Sequence, residues 1–226
     1  MAASAIIVAG GSGLRFGWKK QFISLGGIPV LGRTVRCFDS HPLITHIIVV
    51  VPLTDIEQVK EILHGMKTPL DITAGGTTRQ ESVYNGLQVE TSTEIILIHD
   101  GVRPLVSEAL ISRVIAGIED FDACIPGIAV SDTIKESDRG FVSRTVPRDT
   151  LYQAQTPQAF KRSGILQAHK SARTTGTGQV TDDSSLIENA GGKVRLVSGD
   201  PFNIKITLKE DISIAEAILQ CHTESD

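Results

Sequence analysis

Residues 5–22 read AIIVAGGSGLRFGWKKQF. An apolar, β-branched run stops at a cluster of three glycines and a serine, and basic residues follow. A buried strand that opens into a glycine-rich turn is a strong sign of an α/β sheet, because such turns sit at the carboxyl ends of parallel strands. Glycines let backbone N–H groups converge on an anion, and Arg15 and Lys20 add cationic donors. Two common phosphate loops are excluded. No glycine in the chain is followed by Lys-Ser or Lys-Thr, so there is no P-loop. Starting from Gly11, a dinucleotide fingerprint would need a small residue where Phe16 stands, and the strand ending at Val51 carries no acid for a ribose.

The rest of the chain repeats the rhythm of that opening. Strands are expected at Ser4–Val8, His46–Val51, Leu70–Ala74, Ile95–His99, Ala123–Ala129 and Lys193–Val197. Helices are expected at Val30–Ser40, Asp55–His64, Arg79–Val89, Ser107–Ile118, Arg162–Arg173, Asp182–Ala190 and Glu210–Cys221. In the last of these, Ile212, Ala215 and Leu219 share one face, and Glu210 and Asp211 suit the positive helix end. Short apolar strands alternating with helices predict an α/β fold, a Rossmann-like three-layer sandwich with a mostly parallel central sheet. Three loops, Gly10–Gln21, Gly75–Arg79 and Asp100–Pro104, should then share one rim.

One stretch departs from the pattern. Asp132–Glu136 and Phe141–Val146 flank Ser-Asp-Arg-Gly, which predicts a β-hairpin with too few large apolar residues to form its own core. The expected organisation is one domain over 1–226 with a protruding β-hairpin arm at about 131–150, leaning on the domain or on another subunit.

Composition narrows the class. The 226 residues are 41% hydrophobic and 21% charged, ordinary values for a globular protein. A net charge of -4 argues against broad nucleic-acid binding. No apolar run is long enough for a membrane span, and the start shows no signal peptide. Cys37, Cys124 and Cys221 are widely spaced without a CxxC, so they read as thiols in a reducing compartment; the cytoplasm is the expected location.

Taken singly, the other loops stay ambiguous. Gly75 and Gly76 can approach a flat base and Ser82 can hydrogen-bond it, or the loop is only a helix start capped by Thr77 or Thr78. Asp100, directly after a strand, suits Mg²⁺ held against phosphates, or it is an N-cap or an ion-pair partner of Arg103. His99 reads as structural. Lys205 alternates with Ile204 and Ile206, so by itself it reads as a solvent-facing strand residue, and Thr181 before two aspartates by itself reads as an N-cap.

Together, AGGSGLRF, KKQF, GGTTRQESV, HDGVRP, VPRDTLYQAQTPQAF, TDDSSLIE and FNIKIT resemble the sugar-phosphate cytidylyltransferases. The resemblance spans nearly the whole chain and is greatest to the 2-C-methyl-D-erythritol 4-phosphate cytidylyltransferase family. It implies that Ala9, Gly10, Gly11, Gly13 and Arg15 wrap the triphosphate of CTP, with Lys20 beside them. Gly75, Gly76, Ser82 and Gly101 would contact the nucleotide. Asp100 would serve Mg²⁺ and the acceptor. Arg148, Thr156, Thr181 and Lys205 would hold the sugar-alcohol phosphate, and the arm would be exchanged in a homodimer. Lys20 and Lys205 would stabilise the transition state, with Arg15 on the leaving pyrophosphate. Departures are Lys19 where the family usually has proline, a short stretch from Arg15 to Lys20 with Phe16 for a common methionine, and Gly101 for a usual alanine. Lys19 and Lys20 therefore compete for the α-phosphate. Two rival functions are ribitol-5-phosphate cytidylyltransferase, with the same chemistry, and a non-catalytic nucleotide sensor. A nicotinamide oxidoreductase is weakened by Phe16.

Overall fold

The protein is described here by a computed structural model covering residues 1–10, 19–175 and 180–223. In chain order the elements are β1 Ala3–Val8, β2 Ser24–Leu25, β3 Ile28–Pro29, α1 Val30–Asp39, β4 Ile44–Val51, α2 Ile56–Ile62 and β5 Leu70–Ala74. Then come α3 Arg79–Gln88, β6 Ile95–Asp100, α4 Glu108–Ala116, β7 Ala123–Ala129, β8 Ile134–Asp138, β9 Phe141–Val146 and β10 Tyr152–Ala154. The last are β11 Gln158–Lys161, α5 Arg162–Thr175, α6 Ser184–Asn189, β12 Val194–Ser198 and α7 Glu210–Thr223.

The main sheet runs β10-β7-β11-β6-β1-β4-β5, with β12 also paired to β7. The pairs β1–β4, β1–β6, β4–β5 and β7–β12 are parallel. Alternate side chains of the central strands enter two different cores, which is why those strands read as continuous apolar runs. On one face Ala5, Ile7, Val49 and Leu97 pack with Leu31, Val35 and Phe38 of α1 and with Leu110 and Val114 of α4. On the other, Ile6, Val50 and Ile98 pack with Val83 and Leu87 of α3 and with Ile165 of α5. Phe38 is fully buried, and truncating it to alanine should cost roughly 3–5 kcal/mol. The expected face of α7 holds: Ile212, Ala215 and Leu219 join a third cluster with Leu25, Val30 and Ile206.

One departure from the expected sheet matters for the site. β11 is a short strand inserted antiparallel between β6 and β7. Its four residues, QAFK, carry too little apolar alternation to announce a strand. β10 and β11 pair successive parts of β7, over Gly127–Ala129 and Ala123–Cys124. They are separated by Gln155, Thr156 and a cis Thr156–Pro157 peptide bond. Thr156 is thereby placed beside the end of β6.

The hairpin forms as expected, with β8 and β9 paired only to each other. Its turn is Arg139-Gly140, with φ of 48° and 86°; two left-handed residues are what a tight hairpin turn needs. Among the described residues, no helix is long and apolar enough to cross a membrane.

Candidate active site

A cavity of about 360 Å³ opens at the carboxyl ends of the parallel strands. Val8, Ala9 and Gly10 line it from the end of β1, and Gly76, Thr77, Thr78, Arg79 and Ser82 from the β5–α3 turn. Asp100 and Val102 contribute from the end of β6, and Lys20, Gln21 and Lys205 complete the lining. The described parts of the three loops therefore share one rim. Gly11, Gly13 and Arg15 lie outside the described residues.

The β5–α3 turn is held by its own hydroxyls. Thr78 caps α3, its side chain accepting from Glu81 N–H at 3.0 Å. Ser82 Oγ donates to Thr78 O at 2.9 Å and accepts from Gly76 N–H at 3.1 Å. Ser82 lines the cavity while fixing the backbone of Gly76. Gly75 packs against Ser82: a Cβ there would lie 2.8 Å from its Oγ.

Asp100 is the charged centre. Its side chain is 11% exposed and faces three cations: Lys205 Nζ at 2.9 Å, Arg79 Nε at 3.4 Å and Arg103 Nε at 3.6 Å. Burial disfavours the charged carboxylate, but Arg79, Lys205 and Arg103 outweigh it and hold Asp100 well below the usual carboxylate range. The Arg103 ion pair weighed from sequence is present, and the metal reading stands beside it. Asp100 does not cap a helix; α4 is capped by Ser107. Arg79 also reaches Asp183, with Nη1 to Oδ2 at 2.7 Å, and His169 Nε2 stands 3.3 Å from Asp183 Oδ1. Burial works against the guanidinium charge, and Asp183 and Asp100 more than offset it, so Arg79 stays cationic. Sequence reading passed over Arg79 as the first residue of a helix; its proximity to two buried acids depends on residues 21 and 104 positions away.

Thr156 sits beneath Asp100, 5% exposed and outside the cavity lining. It accepts from the Asp100 backbone N–H at 3.1 Å, and its hydroxyl faces His99 Nδ1 at 3.0 Å. His99 Nε2 lies 3.2 Å from Arg103 O. A consistent proton arrangement follows: Thr156 donates to Nδ1, and Nε2–H donates to the carbonyl. Burial pushes His99 down to about 4, so it is neutral.

The Lys205 segment is stitched to the same corner. Arg103 Nη1 donates to Asn203 O at 2.8 Å, Asn203 Nδ2 to Thr156 O at 2.7 Å, and Ile206 N–H to Val102 O at 2.9 Å. Buried Ile206 turns the intervening Lys205 into the cavity.

The two competing lysines separate cleanly. Lys19 pairs with Asp55 at the start of α2, while Lys20 lines the cavity.

The remaining sequence candidates lie elsewhere. Gly101 packs beneath β1: its N–H donates to Val8 O at 2.9 Å, and a Cβ would meet Ala9 Cβ at 2.8 Å. Thr181 is exposed and does not cap α6. Asp182 bonds Ser185 N–H and Ser184 Oγ at the start of α6 instead, which frees Asp183 to turn inward to Arg79. Arg148 is exposed after β9 and donates to Ser131 O.

The chain is similar to known proteins over nearly its whole length. A sequence model of IspD, 2-C-methyl-D-erythritol 4-phosphate cytidylyltransferase, matches residues 3–221. The 2-C-methyl-D-erythritol 4-phosphate cytidylyltransferase of Geobacter metallireducens is 42% identical, over 97% of this chain and 98% of that protein. The crystal structure of 4-diphosphocytidyl-2C-methyl-D-erythritol synthase from Anaerococcus prevotii superposes with a TM-score of 0.86 at 38% identity, covering 97% of this chain and 96% of the other. The Thermus thermophilus 2-C-methyl-D-erythritol 4-phosphate cytidylyltransferase gives a TM-score of 0.80 at 31% identity, with 97% and 100% covered. A chain with this sheet, this rim of loops and these matches belongs to the IspD family of 2-C-methyl-D-erythritol 4-phosphate cytidylyltransferases.

Proposed function

We propose that the protein transfers CMP from CTP to the phosphate of 2-C-methyl-D-erythritol 4-phosphate, releasing pyrophosphate and forming 4-diphosphocytidyl-2-C-methyl-D-erythritol. The observation that carries this reading is the cavity that brings Lys20, Arg79, Asp100 and Lys205 together at the end of β1.

The attacking oxygen belongs to a phosphate monoester and is already ionised near neutral pH. It needs no base, and the described cavity lining holds no histidine or cysteine. Asp100, kept ionised by its cations, is a permanent acceptor and not a proton carrier. The barrier is electrostatic, because two anions must meet and charge grows on the α-phosphate and the leaving group. Lys20 and Lys205 meet that charge from the cavity wall, with Arg15 assigned to the departing pyrophosphate. Ala9, Gly10, Gly11 and Gly13 cradle the triphosphate, and the Gly76 turn takes the base.

Among the described residues, no cluster of three or more histidines, cysteines or acids could cage a metal. One carboxylate plus substrate phosphates and water is nevertheless an ordinary Mg²⁺ donor set, and Asp100 fits it. Mg²⁺ there would neutralise phosphate charge; the lysines and arginines do the same from the protein side.

We assign the arm to a homodimer. Among the described residues β8 and β9 pair only with each other, and Phe141 and Val142 are 80% and 65% exposed. Arg148, after β9, then serves the partner's acceptor site, with Thr181 near the phosphate. We assign the protein to the cytoplasm, the setting read from its widely spaced cysteines without a CxxC.

The test is pyrophosphate release from CTP and Mg²⁺ with methylerythritol phosphate or ribitol 5-phosphate as acceptor. Release with the first supports the assignment; release with ribitol 5-phosphate alone overturns it. CTP binding without release from either acceptor would make the protein a sensor. Mixing Arg148→Ala with Lys205→Ala subunits should restore about a quarter of wild-type activity if the arm crosses to the partner site; no recovery would put Arg148 in its own subunit's site.

A further inference from the structure

We propose that the Lys19–Asp55 ion pair is a positioning clamp that aims Lys20 into the nucleotide cavity; the proposal rests on the cytidylyltransferase reading above. Lys20–Phe22 form a single 3-10 turn, too short to set its own orientation. It is tied on either side of Lys20 to the segments that follow two neighbouring strands. On one side Lys19 Nζ meets Asp55 Oδ1, just beyond β4. On the other, the side chain of Gln21, 2% exposed, donates to Ala9 O at 3.3 Å, just beyond β1. β1 and β4 are adjacent and parallel. The turn is therefore strapped across the strand ends that frame the cavity, and Lys20, the residue between the straps, lines it.

The two ends of the ion pair differ in environment. The Asp55 side chain is 3% exposed, whereas that of Lys19 is 49% exposed. Thr54 Oγ1 donates to Asp55 Oδ1 at 3.0 Å, and Asp55 Oδ2 is buried with no hydrogen-bond partner among the described residues. A buried carboxylate short of donors holds an available ammonium firmly, because losing it strands the charge. Lys19 is the ammonium supplied, so it is committed to Asp55 and is a positioning residue, while its neighbour Lys20 touches the substrate.

The experiment compares Lys19→Met, Asp55→Asn, their double variant and Lys19→Arg with wild type. Pyrophosphate release is followed with CTP varied, alongside thermal melting. Each single loss should lower kcat about tenfold or more with a smaller change in the KM for CTP, because a displaced catalytic group costs rate more than binding. The double variant should be no worse than the worse single, since the two residues act as one unit. Lys19→Arg should recover most of the rate. Wild-type kcat in either single variant, or multiplied losses in the double, would overturn the proposal. A defect in Lys19→Met without one in Asp55→Asn would make Lys19 a direct phosphate ligand and overturn it equally. Loss of the cooperative melt in both singles would make the pair a stability element instead. If wild type releases no pyrophosphate, the cytidylyltransferase reading fails, while the double-mutant cycle in thermal melting still tests whether Lys19 and Asp55 act as one pair.

Discussion

The cavity and the arm use the same chemistry, arginine against carboxylate, in opposite settings. At the cavity, Asp100 is 11% exposed and shares its charge with Arg79, Arg103 and Lys205, and Arg79 passes it on to fully buried Asp183. On the arm, Arg144 pairs with Glu136 at 66% and 52% exposure, and Arg139 lies 4.0 Å from Asp138 with both largely in water. Water screens the second set and leaves each pair worth about 0–1 kcal/mol. In the first set Asp100 and Arg103 are each 11% exposed and lack that screening, so their charges depend on each other, while Arg79 and Lys205 reach them from the cavity edge. Similar pairings therefore organise a site in one region and decorate a surface in the other.

The comparison breaks most sharply at Asp100. Asp100→Asn should leave Arg79 and Arg103 short of a counter-ion, costing roughly 3–5 kcal/mol in urea unfolding. It should also lower kcat by about 10²-fold or more. Near-wild-type stability would mean that the cluster is solvated after all.

pH gives the next largest effect. His99 folds with its pKa pushed down to about 4 by burial, against an unfolded value of about 6.5. Between those values the unfolded chain binds the extra proton, so stability falls as pH drops from about 6.5 to 4, by on the order of 3 kcal/mol. His41, also lowered by burial, adds loss of the same sign. His99→Asn should flatten the urea-unfolding profile over that window, and an unchanged slope would contradict the neutral-histidine arrangement. The depressed Asp100 and Asp183 act lower: their contribution is present above about pH 4 and is lost below it.

Thr156→Val sharpens the picture further. It removes the acceptor for the Asp100 N–H and the hydroxyl facing His99 Nδ1, which should cost about 1–3 kcal/mol. It should reduce kcat through Asp100 more than it raises the KM of the acceptor; a pure KM effect would return Thr156 to direct substrate contact. Glu136→Gln on the arm should change monomer stability by less than about 1 kcal/mol. A larger loss, measured by urea unfolding under dissociating conditions, would erase the distinction between the regions.

Much of this protein was legible as sequence. The two-faced strands and amphipathic helices are local patterns, since each alternation of apolar residues states which neighbours a segment needs. Leu70–Ala74 and Ala123–Ala129 fall where the pattern places them, and other boundaries move by one or two residues. Glycine loops after strands carry their own meaning too, so the shared rim was readable, whereas the place of Lys205 in its lining came only through the family resemblance. What tertiary structure decided are the contacts between segments far apart in sequence. Inserting β11 against β6 put Thr156 under Asp100. Packing α5 against both α3 and α6 turned Arg79 and Asp183 toward each other, and the placement of the β4–α2 connection chose Lys19 for Asp55 and left Lys20 to the cavity. Local periodicity tells a side chain which face it occupies, but the partner of a buried charge is set by whichever segment the fold brings within ion-pair distance.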